Sequence, residues 1–221
     1  STKPKLPEAR VIQFQAINEL NSFYPMEFIA TKAETDRLLA SHPSESYIVF
    51  TEDRKFPIRM TSDIPYKWIQ DDRHDHFEGQ ADKGEYYAFQ LGVWAARQEI
   101  QKLKVSFSGF TSGTGALIPA SACTCFNTGG TDVTGRVFEK DCNVAEGKVQ
   151  ALWMGIDIPE KIAAGQYKGM LTVTAANAEA KTIDITLNVS ENVIANHGDN
   201  EPWRHSRLRW LNSSLGFDDE I

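Results

Sequence analysis

The sequence predicts an all-β fold, a β-sandwich of immunoglobulin-like or galactose-binding-like type with a short helix near the N-terminus. Two observations support this prediction. Several segments alternate strictly between apolar and polar residues, as half-buried strands do, and turn-forming residues separate these segments. A third observation is that only one stretch of the chain carries the signals of a helix.

Period-two alternation identifies the strands. It is clearest in four segments, residues 87–93, 103–107, 152–158 and 183–189. Weaker patterns predict further strands at residues 12–17, 47–51, 133–138 and 168–175. Each such strand has one face for a core and one face for water, which is how two sheets come to pack against each other.

Turn-forming residues lie in the connections between the predicted strands. Glycines crowd residues 109–135, Pro159 ends one strand and Gly165 opens the next. Glycine accepts positive φ without a Cβ clash, so Gly165 is a natural turn residue. Many strands with frequent turns favour a sandwich or a barrel over a βαβ fold.

The expected helix begins after Thr31. Glu34 follows three residues later, at the spacing of a capping box, in which the two side chains satisfy free amides of the first turn. Leu38 and Leu39 would then face the core, and Pro43 would end the helix. Residues 66–83 have no clean period, and we predict a long acidic and aromatic loop there, suited to contact with a ligand.

The composition is that of an ordinary globular protein. Hydrophobic residues make up 41% and charged residues 24% of the chain, and the formal net charge is −7. No basic block suits a nucleic acid, so we expect no nucleic-acid partner. No apolar run is long enough to span a membrane. An acidic protein of this kind suits neutral ligands, which include most sugars.

Three cysteines are present, and they leave two interpretations open. Cys142 could form one disulfide with Cys123 or with Cys125, or all three could be buried or half-buried thiols, which is the simpler interpretation. A structural zinc needs about four ligands, and no second cluster lies close in the sequence. We therefore expect no metal and no other cofactor.

Residues 66–76 contain the candidate ligand-binding side chains. Carboxylates and two histidines crowd residues 71–76 and could hold a cation, although a solvated polar loop explains them more simply. Aromatic rings could stack on a sugar, but core or interface packing explains most such rings. The same two explanations, sugar stacking and packing, apply to Trp153, Trp203 and Trp210. The candidates for binding a ligand are Tyr66, Trp68, His74 and His76.

The C-terminal segment differs in character from the rest of the chain. Residues 203–210 are basic and aromatic and follow a polar stretch. We expect residues 1–195 to form the sandwich and residues 196–221 to form a linker into a missing catalytic barrel. Arginine pairs with carboxylates and stacks on rings, so the expected interdomain contacts are Trp203, Arg204, Arg207, Arg209 and Trp210.

Several segments resemble a known family. Residues 151–159 and 164–169 form a strand that ends at a proline and a Gly-x-Tyr-x-Gly turn, a pattern common in accessory β-sandwich domains of bacterial glycosidases. Residues 84–92 and 203–220 are similar to the N-terminal domain, and to the junction after it, of proteins related to glycoside hydrolase family 123.

The resemblance implies a parent protein with an N-terminal β-sandwich, a (β/α)8 barrel and a further β domain. Members of the family cleave β-linked N-acetylgalactosamine, using the acetamido group of the substrate as nucleophile and an Asp-Glu pair of the barrel. Asp219-Glu220 precedes any barrel strand, so we transfer no catalytic role to it and expect no catalytic residue in this chain.

The expected function is therefore a non-catalytic module that packs against the barrel and supports it. A carbohydrate-binding module, holding glycan through loop aromatics, is the alternative. Both interpretations place the protein outside the cytoplasm, as a secreted, periplasmic or cell-surface protein whose signal peptide has been removed.

Overall fold

The computed structural model describes residues 25–71 and 74–198. It confirms the predicted class, because two sheets pack face to face and a short helix precedes the first strand. Single 3-10 turns lie at Pro25–Glu27 and Ala120–Ala122, and Ala195–Gly198 forms a turn that includes two residues with positive φ. The main elements, in chain order, are α1 (Lys32–Ser41), β1 (Ile48–Asp53), α2 (Tyr66–Gln70), β2 (His76–Lys83), β3 (Tyr86–Trp94), β4 (Lys104–Phe107), β5 (Phe110–Ser112), β6 (Leu117–Ile118), β7 (Cys123–Cys125), β8 (Gly129–Thr131), β9 (Val137–Glu139), β10 (Val149–Asp157), β11 (Gly165–Ala175) and β12 (Ala178–Val193).

The first sheet has four strands and the second has six. The first runs β1-β3-β10-β7, with every neighbouring pair antiparallel. The second runs β2-β12-β11-β5-β6, and β4 also pairs with β11. Within it, β2 and β12 are parallel. Strands β8 and β9 form a separate hairpin.

The main core lies between the two sheets and follows the predicted alternation. Leu152, Met154 and Ile156 of β10 are fully buried there, facing residues such as Ile185 and Leu187 of β12. Burying one such side chain stabilises the fold by about 1.5–3 kcal/mol. The strands predicted at 47–51, 87–93, 103–107, 152–158, 168–175 and 183–189 are confirmed, and each predicted end lies within five residues of the observed one.

A second core lies on the outer face of the first sheet. Ile48, Phe50 and Trp94 point away from the main core and are nevertheless buried. They are covered by residues 25–46 and 54–71, which contain α1 and α2 and which we call the N-terminal cover. The cover is held to the sheet by backbone bonds such as that from Val149 N to Thr61 O, 2.9 Å.

Helix α1 confirms the predicted capping box. The Thr31 hydroxyl accepts a bond from the Glu34 backbone N–H, and the Glu34 carboxylate accepts one from the Thr31 N–H at 2.8 Å. Leu38 and Leu39 are partly buried against the second core. The helix ends at Ser41, shortly before Pro43.

Two predictions about local structure were wrong. Residues 66–83 contain helix α2 and strand β2, not a long loop. The inward positions of β2 after Phe77 are Gly79 and Ala81, whose small size hides the alternation, and the ring of Tyr87 occupies the space that a side chain at Gly79 would need. Residues 133–136 form a turn, and β9 begins only at Val137. The strand predicted at 12–17 lies outside the described residues.

Candidate functional site

Three aromatic side chains, two of them exposed and one half-buried, share the outer face of the first sheet where the N-terminal cover ends. Tyr86 is 42% exposed and Phe126 is 51% exposed, while Trp153 is half-buried. We call these three residues the aromatic face. They come from β3, from the residue after β7 and from β10, so they are distant in sequence and adjacent only in the folded sheet.

Strand pairing brings the aromatic face together. The Phe126 N–H donates to the Trp153 carbonyl at 2.9 Å, which extends the pairing of β7 with β10 by one residue. The rings of Tyr86 and Phe126 lie 6.1 Å apart at 44°. Gly155 of β10 makes room for the Tyr86 ring, because a Cβ at that position would lie 2.3 Å from Tyr86 Cε1.

Gln90 marks the border between the cover and the aromatic face. It is fully buried and pairs with Trp153 across β3 and β10. Its side-chain carbonyl accepts a bond from the Ile58 N–H at 2.9 Å, and its amide donates to the carbonyls of Asp53 and Phe56 at 3.4 Å. The cover therefore seals the sheet as far as Gln90 and leaves the neighbouring corner open.

The described chain ends beside this open corner. After β12, the Asn196 N–H donates to the Glu160 carboxylate at 2.6 Å, and His197 Nδ1 lies 3.7 Å from Asp157 Oδ1. Asp157 pairs directly with Tyr86. Asn196 and His197 have φ of 49° and 53°, a strained left-handed conformation. These contacts hold Asn196 and His197 near the Tyr86 edge of the aromatic face.

The structure separates the two aromatic residues predicted to bind a ligand. Trp68 is 2% exposed, stacks on Phe50 at 4.1 Å between ring centroids and donates its indole N–H to Glu52. Tyr66, two residues earlier on α2, is 38% exposed. Residues two apart on a helix do not share a face, so Tyr66 and Trp68 form no common platform, and Trp68 is a core residue.

The two histidines also diverge. His74 and His76 would point the same way if both lay on a strand, but β2 begins only at His76. The His74 ring packs edge-on against Phe50 at 4.8 Å, whereas His76 lines a groove on the second sheet. Across residues 25–71 and 74–198, no three His, Cys, Asp or Glu side chains converge as a metal site would require.

Glu52, on β1, is the buried carboxylate beneath the cover. It is 2% exposed and accepts bonds from Lys67 Nζ at 2.8 and 2.9 Å and from Trp68. Burial raises the pKa of Glu52, and the Lys67 ammonium opposes that rise. Because its oxygens are occupied and closed off from solvent, this carboxylate holds the cover together and is not placed to meet a substrate.

The cysteines are three free thiols. Cys125 and Cys142 are each 7% exposed in the main core. Burial raises the pKa of Cys123 to about 12, and a thiol that keeps its proton is a weak nucleophile. Of the two interpretations left open by the sequence, the structure shows the free thiols, with Cys125 and Cys142 buried and Cys123 half-buried. The predicted interdomain residues, Trp203, Arg204, Arg207, Arg209 and Trp210, lie outside the described residues.

The fold and the site define a class of protein, a two-sheet β-sandwich with a helical cover and an exposed aromatic face. The family model described as the glycoside hydrolase 123 N-terminal domain matches residues 130–175 of this chain. That stretch runs from the β8–β9 hairpin through β10 and β11. The match confirms the family resemblance found in the sequence.

A solved structure shows a similar fold over part of this chain. A family 123 glycoside hydrolase from Clostridium perfringens, studied for the hydrolysis of glycolipid glycans, matches with a TM-score of 0.50 and 18% identity. The match covers 67% of this chain and 28% of that protein, so the chain corresponds to little more than a quarter of it.

More distant matches include two other sandwich domains. The ASH/PapD-like domain of human CEP192 matches at 12% identity with a TM-score of 0.31, over 54% of this chain and 83% of that one. MyfA, the major subunit of Myf fimbriae from Yersinia enterocolitica, in complex with galactose, matches at 15% identity with a TM-score of 0.33, over 51% and 90%. A comparison with curated protein sequences found no match. Within the described residues, no helix is both long and apolar enough to cross a bilayer.

Proposed function

We propose that this chain is the non-catalytic N-terminal β-sandwich module of a glycoside hydrolase and that it packs against the catalytic barrel of the same polypeptide. The observation that carries the proposal is the aromatic face beside the exit of the chain at Gly198. The match to the N-terminal domain of family 123 supports it, as does the small share of the Clostridium perfringens enzyme that this fold covers.

The aromatic face has the character of a docking surface. Exposed aromatic side chains that cluster on one face mark interaction sites, and tyrosine, tryptophan and phenylalanine are enriched at the centres of protein interfaces. The rings of Tyr86 and Phe126 lie close enough to be covered together by one partner. The N-terminal cover buries the rest of this sheet face. A second protein surface on the aromatic face would bury the part of the sheet that the cover leaves exposed.

The occupant we propose is the polypeptide that follows Gly198. The exit contacts of Asn196 and His197 bring the chain to the Tyr86 edge of the aromatic face. Asp157 and Glu160 add negative charge there, and the downstream segment 203–210 carries three arginines and two tryptophans. Opposite charge beside apolar area gives the docked arrangement a defined orientation.

The parent we propose acts on β-linked N-acetylgalactosamine, as the family resemblance implies, and works outside the cytoplasm. The catalytic groups would lie in the barrel. The contribution of this chain would be to stabilise and orient the barrel through the aromatic face.

A glycan-binding module is the competing function, and the exposed rings are the observation that favours it. A pyranose stacks its C–H face on a flat aromatic surface. Tyr86 and Phe126 are inclined at 44° to each other, and Trp153 is half-buried, so the three rings make an uneven platform. This geometry suits an interlocking protein surface better than a flat sugar ring.

The test compares this chain with the longer polypeptide encoded by its gene. Phe126→Ser should leave the melting temperature of the isolated chain nearly unchanged and lower that of the longer polypeptide by about 4 °C or more, because only the latter buries the ring. Leu117→Ser is the matched control, since Leu117 is 55% exposed on the second sheet. Equal effects of Phe126→Ser on both proteins would overturn the docking proposal.

Two simpler observations bear on the same proposal. The coding sequence downstream of Ile221 should encode a (β/α)8 barrel, and a stop codon there would end the proposal. The isolated chain should not hydrolyse a chromogenic N-acetyl-β-hexosaminide. Turnover that survives purification to homogeneity and disappears in a single-residue variant would show an active site within this chain.

A further inference from the structure

A groove crosses the outer face of the second sheet, on the side of the molecule opposite the aromatic face. It has a volume of about 450 Å³, within the range of small-molecule sites. Its floor is the backbone of β11 and β12 at Gly169 and Ile185. The side chains that project into it come from three adjacent strands and include His76, Lys168, Met170, Asp184 and Thr186.

The strand register places these side chains on one face. Asp184 of β12 pairs with His76 of β2 on one side and with Met170 of β11 on the other. Lys168 pairs with Thr186, so Lys168 and Asp184 are diagonal neighbours, a relation that separates Cα atoms by about 7–8 Å. A cation and a carboxylate therefore stand at neighbouring positions on the face of the sheet that lines the groove.

Hydrogen bonds within the fold hold the rim of the groove in place before any ligand binds. The Ser108 N–H donates to the Met170 carbonyl at 2.8 Å, and the Met170 N–H donates back to the Ser108 hydroxyl at 2.7 Å. The same hydroxyl donates to the Gly109 carbonyl at 2.9 Å. These bonds hold the step from β4 to β5 against β11, so a ligand would meet a preformed wall rather than a loop that must first be ordered.

Three polar side chains of the groove are unused by the fold. Within residues 25–71 and 74–198, Lys168, Asp184 and His76 form no side-chain hydrogen bond or ion pair. Other charged groups on the same sheet are engaged, such as Glu78, which accepts a bond from Asn188 at 2.6 Å. The groove thus combines free donors and acceptors with the apolar thioether of Met170, which is 49% exposed.

We propose that this groove binds a pyranose with vicinal hydroxyls. The Asp184 carboxylate accepts bonds from two neighbouring hydroxyls, the Lys168 ammonium donates to ring or hydroxyl oxygens, and Met170 covers the C–H face. The charges of Lys168 and Asp184 cancel, which suits a neutral sugar better than an ion. This site is independent of the docking surface proposed above, because it uses the other sheet.

Methionine methyl NMR of the full chain tests the proposal. The chain has four methionines, of which Met170 alone lines the groove, while Met26 and Met154 are buried in the two cores. Titration with methyl glycosides of galactose, N-acetylgalactosamine, glucose and mannose should shift the Met170 signal with at least one sugar, at a dissociation constant of about 1 mM. The core methyl signals should stay in place.

Substitutions decide whether the shift reports the groove. Asp184→Asn and Lys168→Met should each weaken binding at least tenfold, and unshifted core methyl signals will show that both variants fold. Lys161→Met removes the same charge from an exposed residue outside the groove and should not change the affinity. A Met170 signal that stays unmoved by every sugar at about 20 mM, or equal affinity in Asp184→Asn, would overturn the proposal.

Discussion

At the scale of single residues, Trp68 organises the N-terminal cover. Its ring stacks on Phe50, occupies the space above Gly92 and places its indole N–H on Glu52. A Cβ on Gly92 would lie 2.3 Å from the Trp68 ring, so the glycine and the tryptophan fit as a pair. The ring thereby joins the cover to the outer face of the first sheet.

Replacing this ring should be costly. We expect Trp68→Ala to lower the free energy of unfolding by about 3–5 kcal/mol, because it leaves a cavity and deprives Glu52 of a donor. Urea denaturation measures the change. Tyr66→Ala, at a 38% exposed position of the same helix, is the matched control and should stay within about 0.5 kcal/mol of wild type. A loss below about 1 kcal/mol for Trp68→Ala would contradict the assignment of Trp68 to the core.

Glu52 should make stability depend on pH in a defined direction. Burial raises its pKa above the ordinary 4.5, against the opposing effect of Lys67. The folded protein therefore holds this proton more tightly than the unfolded chain, and the contribution of Glu52 to stability falls as pH rises from 4.5 through the raised pKa.

Glu52→Gln isolates this contribution. The free energy of unfolding of wild type, minus that of Glu52→Gln, should decrease between about pH 4 and pH 7 in urea titrations. A difference that grows with pH over this interval would mean that the ion pair with Lys67 outweighs burial and that the pKa is lowered.

At the scale of elements, the turn that carries the chain from β2 in the second sheet to β3 in the first is tied to the end of β12. Gly84 lies in this turn with φ of 73°, and a Cβ there would lie 2.3 Å from the Ile194 carbonyl oxygen. The Ile194 N–H in turn donates to the Lys83 carbonyl at 2.8 Å. The turn therefore fixes the point from which the chain leaves the sandwich.

Two glycines with nearly the same positive φ, Gly84 and Gly147, allow the cost of backbone strain to be measured separately from the cost of a steric clash. Gly147 has φ of 74° and open space where a Cβ would stand. Gly147→Ala should cost about 1 kcal/mol from the left-handed backbone alone, whereas Gly84→Ala should cost about 2–4 kcal/mol because a backbone carbonyl blocks it. Thermal or urea unfolding of both variants gives the comparison. Equal losses would show that the carbonyl moves aside freely.

At the scale of the whole molecule, the first sheet is shared by two cores. Val49 of β1 faces the main core, while Ile48 and Phe50 on the same strand face the N-terminal cover. Strand β3 likewise places Val93 inside and Trp94 outside. Because β1 and β3 contribute side chains to both cores, unfolding of these strands would disrupt both cores at once. We therefore expect the cover and the sandwich to unfold together.

Methionine methyl signals can test this cooperativity. Met26 reports the second core and Met154 reports the main core. In a urea titration followed by NMR, both native signals should disappear at the same midpoint, as a two-state transition requires. Loss of the Met26 signal at clearly lower urea would show that the cover is a separate, weaker unit.

The amino-acid sequence by itself determined the fold class, most of the long strands, the capped helix and the family resemblance. These are local properties, because alternation and capping depend on residues only a few positions apart. Residue patterns did not predict β2, because its inward residues Gly79 and Ala81 are too small to give a clear apolar alternation. They also did not predict β5 to β8, which are too short to show a period.

Only the tertiary structure decided which sheet faces are covered and which side chains meet. The period-two pattern places Trp153 and Leu152 on opposite faces of β10, but it does not show which of the two faces is exposed to solvent. Tyr86, Phe126 and Trp153 became neighbours through strand pairing, as did Lys168 and Asp184. Such contacts join residues far apart in the chain, so they depend on long-range packing, whereas a local pattern describes only its own strand.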